Sequence, residues 1–206
     1  MGHAPQILEI FRDYLQPGRE AEFRAVEEDA ARICAELDCP HPHLAIESLT
    51  GPTEVWWLNA FESEADWQRV VQAYAENGPL TQALKDISRR RQGLVGTPID
   101  LLAKHRPDLG RGPWVTAGAR FFVVSVAADS RDSAATVFEA PDGIRFAFRG
   151  FATREDADVA ASAPGADARV FAVRPYWGMP APEWIEADPG FWNENPAASR
   201  GTRERG

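Results

Sequence analysis

The sequence predicts an α+β fold made of two successive β-α-β-β-α-β units with antiparallel sheets, the second unit degenerate. Three observations carry this expectation. Strand and helix patterns alternate in that order over the first hundred residues. A second run of strand, hairpin, helix and strand follows a break rich in glycine and proline. A strand-to-helix junction also recurs at an offset of ninety residues.

Gln6 to Leu15, rich in Ile, Leu, Phe and Tyr, reads as a strand that Pro17-Gly18 ends. From Arg19 to Leu37, the residues Phe23, Val26, Ala30, Ile33 and Leu37 recur three and four apart, which marks one face of a helix. Glu20, Glu27, Glu28, Arg32 and Glu36 fall off that face and are expected in water. His43 to Thr50 and Glu54 to Phe61 read as a hairpin around Gly51-Pro52. Ser63-Glu64-Ala65-Asp66 resembles a capping box, and Trp67, Val70, Val71 and Tyr74 give the helix it opens an apolar stripe. Asn77-Gly78-Pro79 interrupts that helix. Leu80, Leu84 and Ile87 continue on a new segment, with Pro79 in its first turn and Arg89-Arg90-Arg91 at its negative end. Gly93 stops it, and Thr97 to Ala103 is the fourth strand.

Residues 107–118 carry three glycines and two prolines, so the boundary between a first unit (1–106) and a second (119–178) is placed there. Arg120 to Ala128 is a strong strand. Asp129 to Ala135 is too short for a helix, so the second unit is expected to lack its first one. Thr136 to Ala140 and Ile144 to Phe151 form a hairpin around Pro141-Asp142-Gly143, Thr153 to Ala163 a short helix, and Ala168 to Tyr176 a last strand. The repeat aligns Trp56 through Asp66 with Phe146 through Asp156. Both copies end a strand in Phe and then place a hydroxyl three residues before an Asp. Residues 179–206 have no periodicity; Trp177, Trp184 and Trp192 are expected to anchor an irregular segment, and 197–206 to be a polar tail.

With 22 basic against 31 acidic residues and a net charge of -9, nucleic acid is not an expected partner. No run of eighteen apolar residues suits a membrane span. Met1 to Gln6 lacks the pattern of a signal peptide. Two cysteines give no disulfide framework and fit a reducing cytoplasm.

The opening from Gln6 to Phe23, with Leu15-Gln16-Pro17-Gly18 and Glu22-Phe23, resembles the dimeric α/β-barrel superfamily, which is built of ferredoxin-like units. It is most similar to the NIPSNAP-like and antibiotic-biosynthesis-monooxygenase-like branches, and the junction from Phe61 to Trp67 also fits. The resemblance covers the first hundred residues well and the rest by topology. It implies two sheets paired into a barrel with helices outside. A tandem chain can close such a barrel alone, so the expected state is a monomer with an internal pseudo-dimer or a homodimer. The superfamily's haem-degrading branch resembles an Asn, a Trp and an axial His acting together. Asn59 and Trp67 are present here, but no His lies between His43 and His105, so no haem, and no other cofactor, is expected.

Strand parity then assigns faces. Trp56, Leu58, Ala60, Phe146, Phe148 and Gly150 are expected to face the helices, and Leu8, Ile10, Leu44 and Ile46 likewise. This puts Glu9, Glu47, Trp57, Asn59, Phe61, Arg145 and Arg149 inside the barrel. In that interior Arg149 could hold a carboxylate or enolate oxygen, and Glu9 could act as a base once burial raises its pKa, with Trp57, Asn59, Phe61, Glu47 and Arg145 contacting a small organic ligand. The competing reading is that these charges pair across the interface. Cys34, Asp38, Cys39, His41 and His43 form a cluster of soft and imidazole groups, but their spacing matches no common zinc site, and no metal is expected. Two function classes stay open. One is a small-molecule enzyme, such as a cofactor-independent oxygenase, isomerase or decarboxylase. The other is a non-catalytic interaction protein with a packed barrel.

Overall fold

The computed structural model describes residues 4–129, 132–162, 168–193 and 195. The expectations for Met1 to His3, for Ala163 and for the tail at 197–206 lie outside the described residues. The first half runs β1 (Ile7–Tyr14), α1 (Glu20–Glu36), β2 (Leu44–Ser48), β3 (Glu54–Phe61), α2 (Glu64–Glu76), α3 (Gly78–Arg91) and β4 (Ile99–His105). The second runs β5 (Phe121–Ala127), β6 (Thr136–Glu139), β7 (Arg145–Phe151), α4 (Arg154–Ala161) and β8 (Ala168–Val173), followed by α5 (Pro182–Ala187) and α6 (Pro189–Trp192).

The eight strands close one barrel in the order β1-β3-β2-β8-β5-β7-β6-β4. Each half contributes its strands in the sequence fourth, first, third, second. Within the halves the ladders are long: β1 pairs with β3 over eight positions, from Ile7↔Phe61 to Tyr14↔Glu54. The seams between halves are short. β2 meets β8 at three positions, Ile46↔Val173 to Ser48↔Phe171, and β4 meets β6 at two, Lys104↔Glu139 and His105↔Phe138.

Local chemistry explains the helix ends. Ser63 Oγ accepts from the backbone N–H of Asp66 (3.1 Å) and Thr153 Oγ1 from that of Asp156 (3.2 Å), so the same kind of N-cap opens α2 and α4. Asn77 caps α3 through Leu80 N–H (3.2 Å), with Pro79 in the first turn. Helix α1 ends at Leu37, after which Asp38 takes a left-handed φ of 53° and Cys39 N–H donates to the Cys34 carbonyl at 2.9 Å. That six-to-one bond is the mark of a Schellman turn.

The barrel interior reverses the expected faces. Leu8, Ile10, Leu44, Ile46, Trp56 and Leu58 of the first half pack with Phe122, Val124, Phe146, Phe148 and Phe171 of the second in a single core. Trp56 lies 6.0 Å from Phe146 and 5.1 Å from Phe171, ring to ring, although β3 and β7 are not sheet neighbours. Only a shared interior permits that contact. The barrel is thus filled with large apolar side chains, each worth about 1.5–3 kcal/mol when fully buried. The helices cover the other face: Phe23 of α1 packs on Trp57. Glu27, expected in water, is 1% exposed beneath α3.

Both ends of the barrel are closed. Where β5 begins, Trp114 packs on Phe122, Phe138 and Phe148. There too Trp184 and Trp192 of the short helices α5 and α6 stack at 6.0 Å and join the core. The segment expected to be irregular is therefore partly helical. At the other end the fully buried Glu54 carboxylate accepts from Arg12, Arg169 and the Trp56 indole (2.7 Å). In the second half no helix stands between β5 and β6 among the described residues. Leu109 from the connecting segment covers Ala135, Val137 and Ala147 instead. Its close approach needs Gly112, where a Cβ would stand 2.1 Å from the Ala134 carbonyl oxygen.

Candidate functional site

The outer face of the first-half sheet does not pack flush against its helices. Between β1, β3 and β4 on one side and α1, α2 and α3 on the other lies a cavity of about 990 Å³. The same alternation that fills the barrel with Trp56 and Leu58 sends Trp57, Asn59 and Phe61 of β3 outward into it, together with Glu9, Phe11 and Asp13 of β1. Helix α1 contributes Glu27 and Cys34, α2 Trp67 and Tyr74, and α3 Ile87 and Arg91; Asp100 of β4 and Trp177 complete the wall. Most of this surface is aromatic or aliphatic.

Its polar groups are few and held. The Trp67 indole N–H donates to Glu9 Oε1 at 3.2 Å. Burial pushes the Glu9 carboxyl above its ordinary range; the Trp67 bond opposes this and the nearby Asp100 adds to it. Burial likewise raises Asp13, against the pull of Arg91, and raises Asp100. Glu27 accepts both arms of the Arg91 guanidinium, at 2.6 and 2.5 Å, yet burial still outweighs that partner and raises its pKa. Arg91 also lies over the Trp57 ring, 4.6 Å from its centroid. Trp177, 2% exposed, has an indole N–H with no hydrogen-bond partner among the described residues. A buried donor left so is costly unless something else accepts from it.

Of the residues singled out in the sequence, Glu9, Trp57, Asn59 and Phe61 share this cavity. Glu47, Arg145 and Arg149 do not. Glu47 accepts from Arg174 at 2.5 Å and lies 3.6 Å from Arg24. Arg145 pairs with Glu139 at 2.7 Å. Arg149 pairs with Asp132 at 3.3 Å and donates to the Ala160 carbonyl at 3.0 Å, on the outer face of the second half. The expected single interior holding Glu9 beside Arg149 therefore does not form. Parity grouped each strand's residues correctly, but the outer faces of the two halves point away from each other. The cavity residues on helices were legible in the sequence only in other roles: Trp67, Tyr74 and Ile87 as apolar stripes, Cys34 as part of a soft-ligand cluster and Arg91 as a helix end. Glu27, expected in water, lies beside Val26 in the stripe that α1 buries.

No group of three or more His, Cys, Asp and Glu among the described residues is arranged to hold a metal ion. His41 instead stacks on Phe61 at 4.3 Å.

The chain resembles several solved structures in its fold. A provisionally named monooxygenase from Fusobacterium nucleatum superposes with a TM-score of 0.52 at 10% identity, over 84% of this chain and 94% of its own. A second, from Lactobacillus acidophilus, gives 0.51 at 8% identity, over 83% and 94%. A provisionally named chlorite dismutase gives 0.41 at 10% identity, over 89% and 98%. At such identities the likeness to the first two concerns architecture alone, a closed eight-stranded barrel with helices outside it. No family model matches the sequence, and no curated protein matches it. No helix among the described residues is long and apolar enough to cross a membrane.

Proposed function

We propose that the protein binds a small organic molecule with substantial aromatic or aliphatic surface in the cavity between the first-half sheet and α1–α3, and that Glu9 is the group placed to act on it. The observation that carries this reading is the cavity itself: apolar walls with a few convergent polar groups are the usual form of a ligand site. Trp57, Phe61 and Trp67 offer flat faces for the ligand, Asn59 a hydrogen-bonding amide, and the Trp177 indole an N–H that a ligand oxygen can satisfy. A carboxylate with a raised pKa is a stronger base than an exposed one. Isomerisation and cofactor-independent oxygenation of carbonyl-bearing substrates both open with proton loss to such a base. The fold shared with two proteins named as monooxygenases supports an oxygenase at the level of fold, which does not fix chemistry; a decarboxylase stays within the same class. Glu9 is retained as the base; Arg149, Arg145 and Glu47 are assigned to ion pairs outside the cavity.

The finer reading of the architecture is a duplication. Two ferredoxin-like units in tandem, with the same strand order and the same N-cap at an offset of ninety residues, form an internal pseudo-dimer that closes the barrel as a monomer. The packed barrel interior favours the second reading, a non-catalytic interaction protein, only if the outer cavity proves empty of function.

Native mass spectrometry of protein purified without added ligand tests both points. The expected species is a 22.7 kDa monomer carrying one organic molecule that is released on denaturation. Glu9→Gln is expected to keep that ligand and lose turnover of it. An apo mass, together with no thermal shift from a panel of aromatic carbonyl compounds, would overturn the ligand reading.

A further inference from the structure

The Schellman turn at the end of α1 has an uncommon pair of residues at its two contact positions. In such a turn the side chains of the residues joined by the six-to-one bond meet, and that contact is usually between two hydrophobes. Here both are cysteines. The 2.9 Å bond from Cys39 N–H to the Cys34 carbonyl leaves only the Cα–C, C=O and N–Cα bonds beyond it. The two Cα atoms are therefore within about 7 Å, and disulfides span about 4.4–6.8 Å. The backbone needs little movement to join them.

Their surroundings differ. Cys34 is 6% exposed on the wall of the cavity, whereas Cys39 is half-buried and reaches solvent. The Tyr74 phenol from α2 lies 3.0 Å from Cys39 Sγ, positioned to donate to a thiolate. A hydrogen bond shared with Cys34 lowers the Cys39 pKa, with His43 and Tyr74 helping against burial, while the same bond and burial push the Cys34 thiol up.

We propose that Cys39 and Cys34 form a dithiol site that reduces a hydroperoxide, with Cys39 attacking and Cys34 resolving. The Cys39 thiolate attacks one peroxide oxygen, the O–O bond breaks, and the other oxygen leaves as an alcohol or as water once protonated. Cys39 is then a sulfenic acid. Cys34 sulfur attacks the Cys39 sulfur, the S–O bond breaks, water leaves, and a disulfide remains. Two thiols and one hydroperoxide thus give one disulfide, one alcohol (or water) and one water. An external dithiol returns the pair to the reduced state.

The test uses full-length reduced protein at pH 6 with one equivalent of hydrogen peroxide. Wild type is expected to lose both free thiols, give a Cys34–Cys39 disulfide by peptide mass spectrometry without intermolecular cross-links, and recover both thiols with dithiothreitol. Cys34→Ser is expected to stop at a Cys39 sulfenic acid that dimedone captures. Cys39→Ser is expected to be inert while native by circular dichroism. Tyr74→Phe is expected to slow the first step about tenfold, the scale of one hydrogen bond to a charged sulfur. The same protein in urea, where both thiols are ordinary, supplies the reference rate. Oxidation no faster in the native protein than in urea, equal rates in the two serine variants, or disulfides formed between chains would each overturn the proposal.

Discussion

Glu9 is a carboxylate that the fold desolvates, and this has a measurable sign. Burial raises its pKa above the ordinary carboxylate range, so the folded protein holds that proton more tightly than the unfolded chain. The resulting stabilisation is fully present below the unfolded pKa and is lost as pH rises through the folded one. Glu9→Gln keeps the acceptor for Trp67 but cannot ionise. The variant is expected to melt above wild type at pH 8 and to converge with it near pH 4 in a thermal-denaturation series; a gap independent of pH would show that Glu9 is not desolvated. Arg91→Ala acts in the opposite direction. It strands Glu27, which is 1% exposed, and breaking a buried pair from one side costs about 3–5 kcal/mol. Urea unfolding should show that loss at pH 7, a smaller one at pH 5 as Glu27 takes up a proton, and partial recovery in the double variant with Glu27→Gln. At this scale the sequence was legible in one respect. Period-two alternation separated Glu9 from Leu8 and Ile10, and grouped Trp57 with Asn59 and Phe61, as the structure does. It could not say which group faced the other half, because Trp56-Trp57-Leu58 is apolar on both sides and offers no polarity contrast. Arg91 and Tyr74 were out of reach, since they join the site only through packing of α2 and α3 on the sheet.

Helices α1 to α4 and all eight strands were readable because each is long enough to show its period or is bounded by Gly, Pro or a hydroxyl cap. Helices α5 and α6, of six and four residues, are shorter than two turns and show no stripe. Their Trp and Pro content suggested only anchoring, which is indeed what Trp184 and Trp192 do. The strand expected to run to Tyr176 ends at Val173, because the chain turns at once: Pro175 has no N–H to give a ladder, and Trp177 N–H closes the turn on the Arg174 carbonyl at 3.2 Å. The paired caps make a controlled comparison. Ser63→Ala removes the acceptor for Asp66 N–H and is expected to cost about 1 kcal/mol in urea unfolding. Thr153→Ala should cost a similar amount, since it occupies the equivalent place at the start of α4. A Ser63→Ala protein as stable as wild type would mean that packing of Trp67 and Val70, rather than the cap, fixes where α2 begins.

For the molecule as a whole, closure depends on two seams of unequal strength. Three paired positions join β2 to β8 and only two join β4 to β6, against eight between β1 and β3. Local opening follows the number of interactions broken. Native-state hydrogen exchange is therefore expected to release the amides of His105, Arg106 and β6 before those of β1 and β3; uniform protection around the ring would mean that the filled core, not the ladder, governs opening. The overall order of elements could be read in the sequence, but the side of the sheet carrying the cavity could not, because that depends on how two halves meet rather than on either alone. The way in which the second half is covered also has a consequence for ligand response. A barrel assembled from two identical chains would repeat the helix-covered cavity on both sides and could pass occupancy from one to the other through the common core. Here, among the described residues, the corresponding surface of the second half is covered by Leu109 and by α4, with no counterpart of α1 to wall off a second such cavity. A ligand titrated into the monomer that we propose is therefore expected to saturate as a single-site hyperbola with a Hill coefficient of about one, a response in proportion to concentration rather than at a threshold; a sigmoidal isotherm would overturn this.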